Sequence, residues 1–365
     1  MKKLIFVALL LMVAGMARAD GACGDKGRMQ DGSCLQEDSF AIGPGINLAF
    51  ITHWVASDSI TSVKIDVLNA AQPMQTLELN DMSASTLDLS AQDVNFDGFA
   101  DLMLLANAGA TGNTFYMLWV FDPEQKRFVP FPPFLELSSP SPDPKTKTIN
   151  THNKGGDAGL IFTDKSYQWN GPTLSKVAEE KQDALGMSYY SNVRRELVGG
   201  KPAVVSDRIF RVNDDGAGQQ PVCGPLRPPA SCGPVAAVIE FTAAEAERNA
   251  DQMMGHYAPQ VTWQGEQRDA ASLRAMHEKW LAGLSDYTLG MENFRVAFSD
   301  DGLTAQVRCD VTGAYQDSAG KPHRFKTGKQ FRLKLTGDKW LIECEEVAQF
   351  LAGAKGKTSD VCQLR

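Results

Sequence analysis

Between residues 39 and 212 the apolar residues come in short runs closed off by Gly, Pro, Asn or Asp. Ile46–Val55, Ser62–Leu68, Met74–Leu79, Leu102–Ala106, Phe115–Phe121, Ile161–Trp169 and Val204–Val212 are rich in β-branched and aromatic residues. Runs of this length and period suit strands joined by tight turns, not helices. That restricts this half of the chain to an all-β fold. Pro130–Pro144 carries too many prolines for an interior strand and reads as loop or edge.

The pattern changes after residue 214. Pro221 to Pro234 is crowded with Pro, Gly and Cys and reads as a linker over 215–235. Beyond it, Thr242-Ala-Ala-Glu245 has capping-box spacing, and Gly255 is a helix stop. A second helix is expected over Ala270–Ala282, with Leu273, Met276 and Trp280 on one face. Strands are expected at 287–298, 303–315, 322–335 and 339–350. Helices followed by long strands predict an α+β domain over 236–352, with a tail at 353–365.

The N-terminus reads as an export signal. Lys2 and Lys3 precede an apolar run ending near Gly15, and Ala17-Arg18-Ala19 offers a cleavage site after residue 19. All 7 cysteines follow it. In an oxidising compartment close pairs read as disulfides. Cys23 with Cys34 staples a leader at 20–38, and Cys223 with Cys232 staples the linker. Cys309 and Cys344 lie in alternating segments on faces that look inward and could meet across a sheet, leaving Cys362 unpaired. The formal charge is −8, and removing Lys2, Lys3 and Arg18 leaves 33 basic against 44 acidic residues. Such a balance disfavours non-specific nucleic-acid or anionic-lipid binding and suits a basic protein partner.

One motif is sharp. Asp93-Val-Asn95-Phe-Asp97-Gly98-Phe99-Ala-Asp101 places side-chain oxygens at alternate positions around a glycine, the first part of a calcium loop. Asp93, Asn95, Asp97, the Phe99 carbonyl and Asp101 are the candidate ligands of a structural Ca²⁺. An apolar run follows at once, so the loop feeds a strand. Asn213–Gly216 and Ser299–Gly302 lack the alternation and read as turns, the second a hairpin.

The loop with its continuation, DVNFDGFADLMLLANAGATGNTFYMLWVFDPEQKRFV, then KTKTINTHNKGG and KSYQWNG, resembles a periplasmic calcium-binding family of β-propeller-like proteins. That family includes immunity proteins and inhibitors directed against lysozyme-type antibacterial effectors. The resemblance covers about residues 40–212 and implies a propeller-like domain over 39–214, a periplasmic location and a secreted cell-wall-degrading partner. The stretch from His256 to Trp263, the helix ending near Trp280 and the closing strands resemble the cone fold of nuclear transport factor two. The expected fold is therefore an all-β propeller-like domain followed by an α+β cone.

No His-Glu-x-x-His run, nucleophile elbow or phosphate loop occurs, so the leading expectation is a binding protein and not an enzyme. The alternative is a small-ligand or glycan-binding protein using the cone, and a cone hydrolase or isomerase is a third reading. Asp251 with His256, or His277 with Glu278, are its candidate acid–base pairs, and Trp263, Trp280 and Tyr257 its candidate pocket lining. Tyr189-Tyr190 with Arg194-Arg195 is a candidate contact patch. Asp122-Pro123 reads as a turn.

Overall fold

The computed structural model describes residues 23, 27–30, 32–55, 59–213, 218–226, 231–348, 362 and 364. The signal read at 1–19, the Asp214–Gly216 turn and most of the 353–365 tail lie outside these residues. The described strands form four sheets. The first runs in order from β1 (Arg28–Gln30) through β2 (Ser33–Gly43), β3 (Ile46–Val55) and β4 (Val63–Asn69) to β5 (Gln72–Leu79). The second holds β6 (Leu89–Gln92), β7 (Asp101–Ala108), β8 (Thr114–Asp122) and β9 (Arg127–Pro130). The third follows chain order through β10 (Ser141–Asp143), β11 (Thr148–Lys154), β12 (Phe162–Asn170), β13 (Thr173–Gly186), β14 (Tyr189–Val198), β15 (Lys201–Val212) and β16 (Gln219–Leu226).

After β16 come helix α1 (Gly233–Ala246) and the short α2 (Ala250–Met254). Then come β17 (Tyr257–Trp263), β18 (Glu266–Asp269) and α3 (Ala270–Ala282). The last strands are β19 (Ser285–Phe298), β20 (Thr304–Gln316), β21 (Pro322–Thr336) and β22 (Lys339–Ala348). The fourth sheet has the order β18-β17-β22-β21-β20-β19, with β17 parallel to β22. No described helix is long and apolar enough to cross a membrane.

The expected propeller-like domain followed by an α+β cone is not what forms. A propeller repeats a four-stranded blade around a channel. Here the sheets have five, four, seven and six strands, and none closes into a barrel or propeller. The C-terminal part is itself strand-rich rather than an α+β cone. Alternation specifies strands, whereas closure depends on strand number, shear and tilt, which alternation does not carry. The chain divides into two compact units, 1–178 and 179–365, with the boundary inside β13. The stretch read as a linker holds β16 and the start of α1, tied by a Cys223–Cys232 disulfide.

In the first unit the inward faces of the first two sheets share one core. Phe50, Phe121 and Phe128 meet edge to face within it, with ring centroids 5.1 to 5.8 Å apart. A second cluster gathers Val94, Met103, Leu118, Phe134 and Ile149. In the second unit α1 lays Val238, Ile239 and Phe241 against Val307, Phe331, Leu333 and Ile342 of the last sheet. α1 starts at Gly233-Pro234, where proline's missing N–H has no intrahelical partner to lose. The Thr242–Glu245 spacing lies inside this helix. Thr242 Oγ1 donates 2.9 Å to the Val238 carbonyl, so no helix begins there. α2 ends at Gly255, and Asp269 caps α3 by accepting from the Ser272 amide at 2.7 Å. Ser299–Gly302 is the β19–β20 hairpin turn.

Cys23–Cys34 is bonded, but the expected Cys309–Cys344 bridge is not. β20 and β22 flank β21, so these cysteines lie two strand spacings apart, about 10 Å, beyond the roughly 7 Å a disulfide spans. Cys344 bonds Cys362, with their Cα atoms 5.6 Å apart. Cys309 stays a buried free thiol, pushed up to about 12 by burial.

Candidate functional site

Two arrangements of polar groups stand out, one in each unit. In the first unit the Asp93–Asp101 turn is ordered by its own backbone amides. The Asp97 and Gly98 amides donate to the Asp93 carboxylate at 3.1 and 2.9 Å. The Asp97 amide also reaches Asn95 Oδ1 at 3.1 Å, and the Phe99 amide reaches Asp97 Oδ1 at 2.8 Å. Gly98 has φ +94°, which an L side chain rarely adopts. Val94 is buried in one core cluster and Phe99 packs against the other, with its ring centroid 5.9 Å from that of Phe121. The Ala100 amide donates to the Ile42 carbonyl at 2.6 Å, and the Trp169 indole N–H to the Val94 carbonyl at 2.9 Å.

Asp101 differs from the other candidate ligands. It is fully buried, and three amides use its oxygens: Val94 at 2.9 Å and Asn95 at 3.1 Å on Oδ2, and Phe121 at 2.9 Å on Oδ1. Burial pushes its carboxyl up to about 7, against the amide bonds that favour the ionised form. No Lys, Arg or His among the described residues pairs with it. Among the described residues no three His, Cys, Asp or Glu side chains gather as a metal cluster. The side chains of Asp93, Asn95 and Asp97 lie around this turn, hydrogen-bonded to its amides and, from Asn95 Nδ2 to Asp97 Oδ2 at 2.8 Å, to one another, while Asp101 braces the loop through three amides.

Of the second arrangement the sequence singled out Tyr257 and His277, which lie 3.4 Å apart, but not Lys329, Glu345 or Tyr287. Lys329 is buried between two carboxylates, with Nζ 2.9 Å from Glu245 Oε2 and 3.4 Å from Glu345 Oε1. Tyr287 OH donates to Glu245 Oε1 at 2.7 Å, and Tyr257 OH donates to Glu345 Oε2. Every carboxylate oxygen thus has a partner. Burial alone would lower the Lys329 ammonium, but Glu245 and Glu345 hold it above the usual lysine range. Burial and the facing carboxylates push both tyrosines up, so they stay neutral donors. His277 stands 3.4 Å from Tyr257 OH, and burial lowers its imidazole, which favours the neutral ring. A buried network of this kind can hold protons at fixed atoms.

The sequence-derived pairs are not assembled. Asp251 bonds Arg274 on the surface, and His256 lies 4.0 Å from Glu240. Glu278 also bonds Arg274, at 2.9 Å, while its neighbour His277 turns inward. Trp280 is 42% exposed and meets Tyr287 edge on at 5.5 Å, and Trp263 carries the Arg268 guanidinium at 5.6 Å. Tyr189 and Tyr190 are buried rather than forming an exposed patch, and Tyr189 OH donates to the Met291 carbonyl. Arg194 is held by Glu196 at 2.8 Å and Glu180 at 3.4 Å. Asp122 caps its turn through the Glu124 and Gln125 amides.

No protein-family model matches the chain, and no curated protein matches it. About a third of it resembles solved structures of NTF2-like, cone-fold proteins. A ketosteroid isomerase-like protein from Erwinia carotovora atroseptica is 14% identical over 32% of this chain and 92% of its own, with a TM-score of 0.28. An NTF2-like family protein from Streptomyces avermitilis is 14% identical over 32% and 93%, with a TM-score of 0.29. The C. elegans CaMKII association domain is 12% identical over 32% and 92%, with a TM-score of 0.28. Likenesses this partial carry no function across.

Two outcomes follow. Lys329→Met leaves two buried carboxylates without a countercharge and should cost about 3–5 kcal/mol in denaturant titrations; a loss below about 1 kcal/mol would show the network to be dispensable. Asp101 ionises near 3.8 in the unfolded chain and near 7 in the metal-free fold. Its contribution is therefore full below about pH 4 and is lost as pH rises to about 7, with a ceiling of about 4 kcal/mol. Melting in EDTA should show this falling slope in the parent and not in Asp101→Asn. A slope of the opposite sign would place the ionised form as the favoured one.

Proposed function

We propose that this chain is an exported, calcium-stabilised binding protein of the periplasm that blocks a secreted cell-wall-degrading enzyme of lysozyme type and performs no chemistry itself. The observation that carries the reading is Asp101, a buried carboxylate without a basic partner beneath a ring of preset oxygens. A buried carboxylate of this kind either takes up a proton or keeps its charge with a cation nearby, and the reading takes the second course. Bound Ca²⁺ supplies positive charge and no redox or Lewis-acid step. Asp93, Asn95, Asp97 and the Phe99 carbonyl would hold it. This loop heads the segment in which the chain resembles calcium-binding immunity proteins. The acidic balance supports a basic partner, and three disulfides suit export. The propeller is no part of this proposal.

A second reading rests on the Glu245–Lys329–Glu345 network with the half-exposed Trp280 beside Tyr287. It makes the second unit a receptor for a small polar ligand. Cells lacking the protein should lyse when attacked by siblings secreting the cognate wall-degrading enzyme, and the full chain supplied in trans should protect them. Absence of protection against any such enzyme, with a small molecule copurifying with the chain, would replace the first reading by the second.

A further inference from the structure

The outward face of the fourth sheet carries two arginines that stand directly opposite each other. β20 and β21 send Val307, Cys309, Val311, Phe331 and Leu333 into the core of the second unit. The side chains that alternate with these lie on the other face. One cross-strand row there runs from β19 to β22 as Arg295, Arg308, Gln330 and Glu346. Arg295 and Arg308 are both exposed. Directly opposite side chains start only about 5 Å apart at Cβ, and like charges so placed repel.

Among the described residues no carboxylate pairs with either guanidinium. The acids near the row are engaged or stand apart. Asp310 accepts from Asn293 Nδ2 at 2.8 Å and lies 3.7 Å from Lys326 Nζ, which also holds Glu292 at 2.5 Å. Glu343 lies 3.9 Å from Arg332, two residues along β21 from Gln330. Glu346 is two strand spacings from Arg308, about 10 Å. Between them Gln330 is 7% exposed, and its buried Nε2 has no hydrogen-bond partner. A buried donor left unmatched is costly and rare in a folded protein. The row thus presents two unneutralised guanidiniums and an unused amide N–H with no acceptor for any of them.

We infer that this row is an oxyanion site, in which Arg295 and Arg308 grip a phosphate or carboxylate group and Gln330 Nε2 donates to it. Guanidinium forks match the paired oxygens of such groups and stay charged at any working pH. One bound anion removes the repulsion between the two arginines and gives the Gln330 amide its missing acceptor. The site lies in the second unit and rests neither on the calcium turn nor on the proposed function, so its failure leaves both standing.

The test titrates the full mature chain by calorimetry with inorganic phosphate and, separately, with citrate, in a low-salt chloride buffer where screening is weak. A saturable site is expected. Arg295→Gln and Arg308→Gln should each weaken it by about tenfold or more, the loss of one hydrogen bond to a charged group. Both should melt no lower than the parent in anion-free buffer, because the like-charge repulsion is gone. Gln330→Leu should weaken binding in the same way. Lys334→Gln, the same charge change at an exposed position further along β21, should bind as the parent does. Saturation by phosphate alone or by citrate alone supports the site and identifies the group it prefers. No saturable binding of either anion would overturn it, as would affinity kept within about twofold by both arginine variants. An equal loss in Lys334→Gln would also overturn it, by showing general charge attraction in place of a site.

Discussion

The first unit is organised around the Asp101 carboxylate. Its two oxygens take amides from the start of the oxygen-rich turn and from β8. That fixes the turn against the strand pair it feeds. The same turn sends Val94 into one core cluster and Phe99 into the other. A single carboxyl group thus ties the turn that contributes to two hydrophobic clusters. Desolvating it is costly, and the amide bonds recover only part of that cost.

The second unit solves a similar problem internally. Glu245, Glu345 and Lys329 bring their own countercharge, and Tyr257 and Tyr287 fill the remaining acceptor sites. Such a network contributes little net stability compared with an apolar core of equal volume, yet breaking it is expensive. The contrast is informative. Glu245 and Glu345 are matched from within their network, whereas Asp101 has no basic partner among the described residues.

Much of the local structure was legible in the sequence. Alternation and Gly-rich turns placed β3 at Ile46–Val55, and the apolar spacing placed α3 at Ala270–Ala282. The calcium-type spacing singled out a turn that is indeed preorganised, although burial at the head of the apolar β7 run makes Asp101 a brace. What the sequence hid has physical causes. The pairing of β21 with β22 slips between Arg332 and Leu333, so Leu333 faces Ile342 while Phe331 faces Glu345. That bulge reverses the in–out parity after Ile342. It turns Cys344 to the side where Cys362 reaches it and turns Glu345 inward to Lys329. Simple alternation predicts the opposite for both. Glu245 was masked because its capping-box spacing with Thr242 falls within a continuous helix. Lys329 shares an inward row with Phe331 and Leu333, and an apolar row broken by a lysine was the available signal.

The account turns on whether a cation sits above Asp101. Trp169 lies beside that turn through its indole bond to the Val94 carbonyl, which makes it a built-in antenna. Terbium luminescence excited through tryptophan is therefore the most direct measurement. The account predicts saturable sensitised emission that Ca²⁺ displaces, that fades in Trp169→Phe, and that disappears in Asp97→Ala. Emission that is absent, or that persists unchanged in Asp97→Ala, would contradict it.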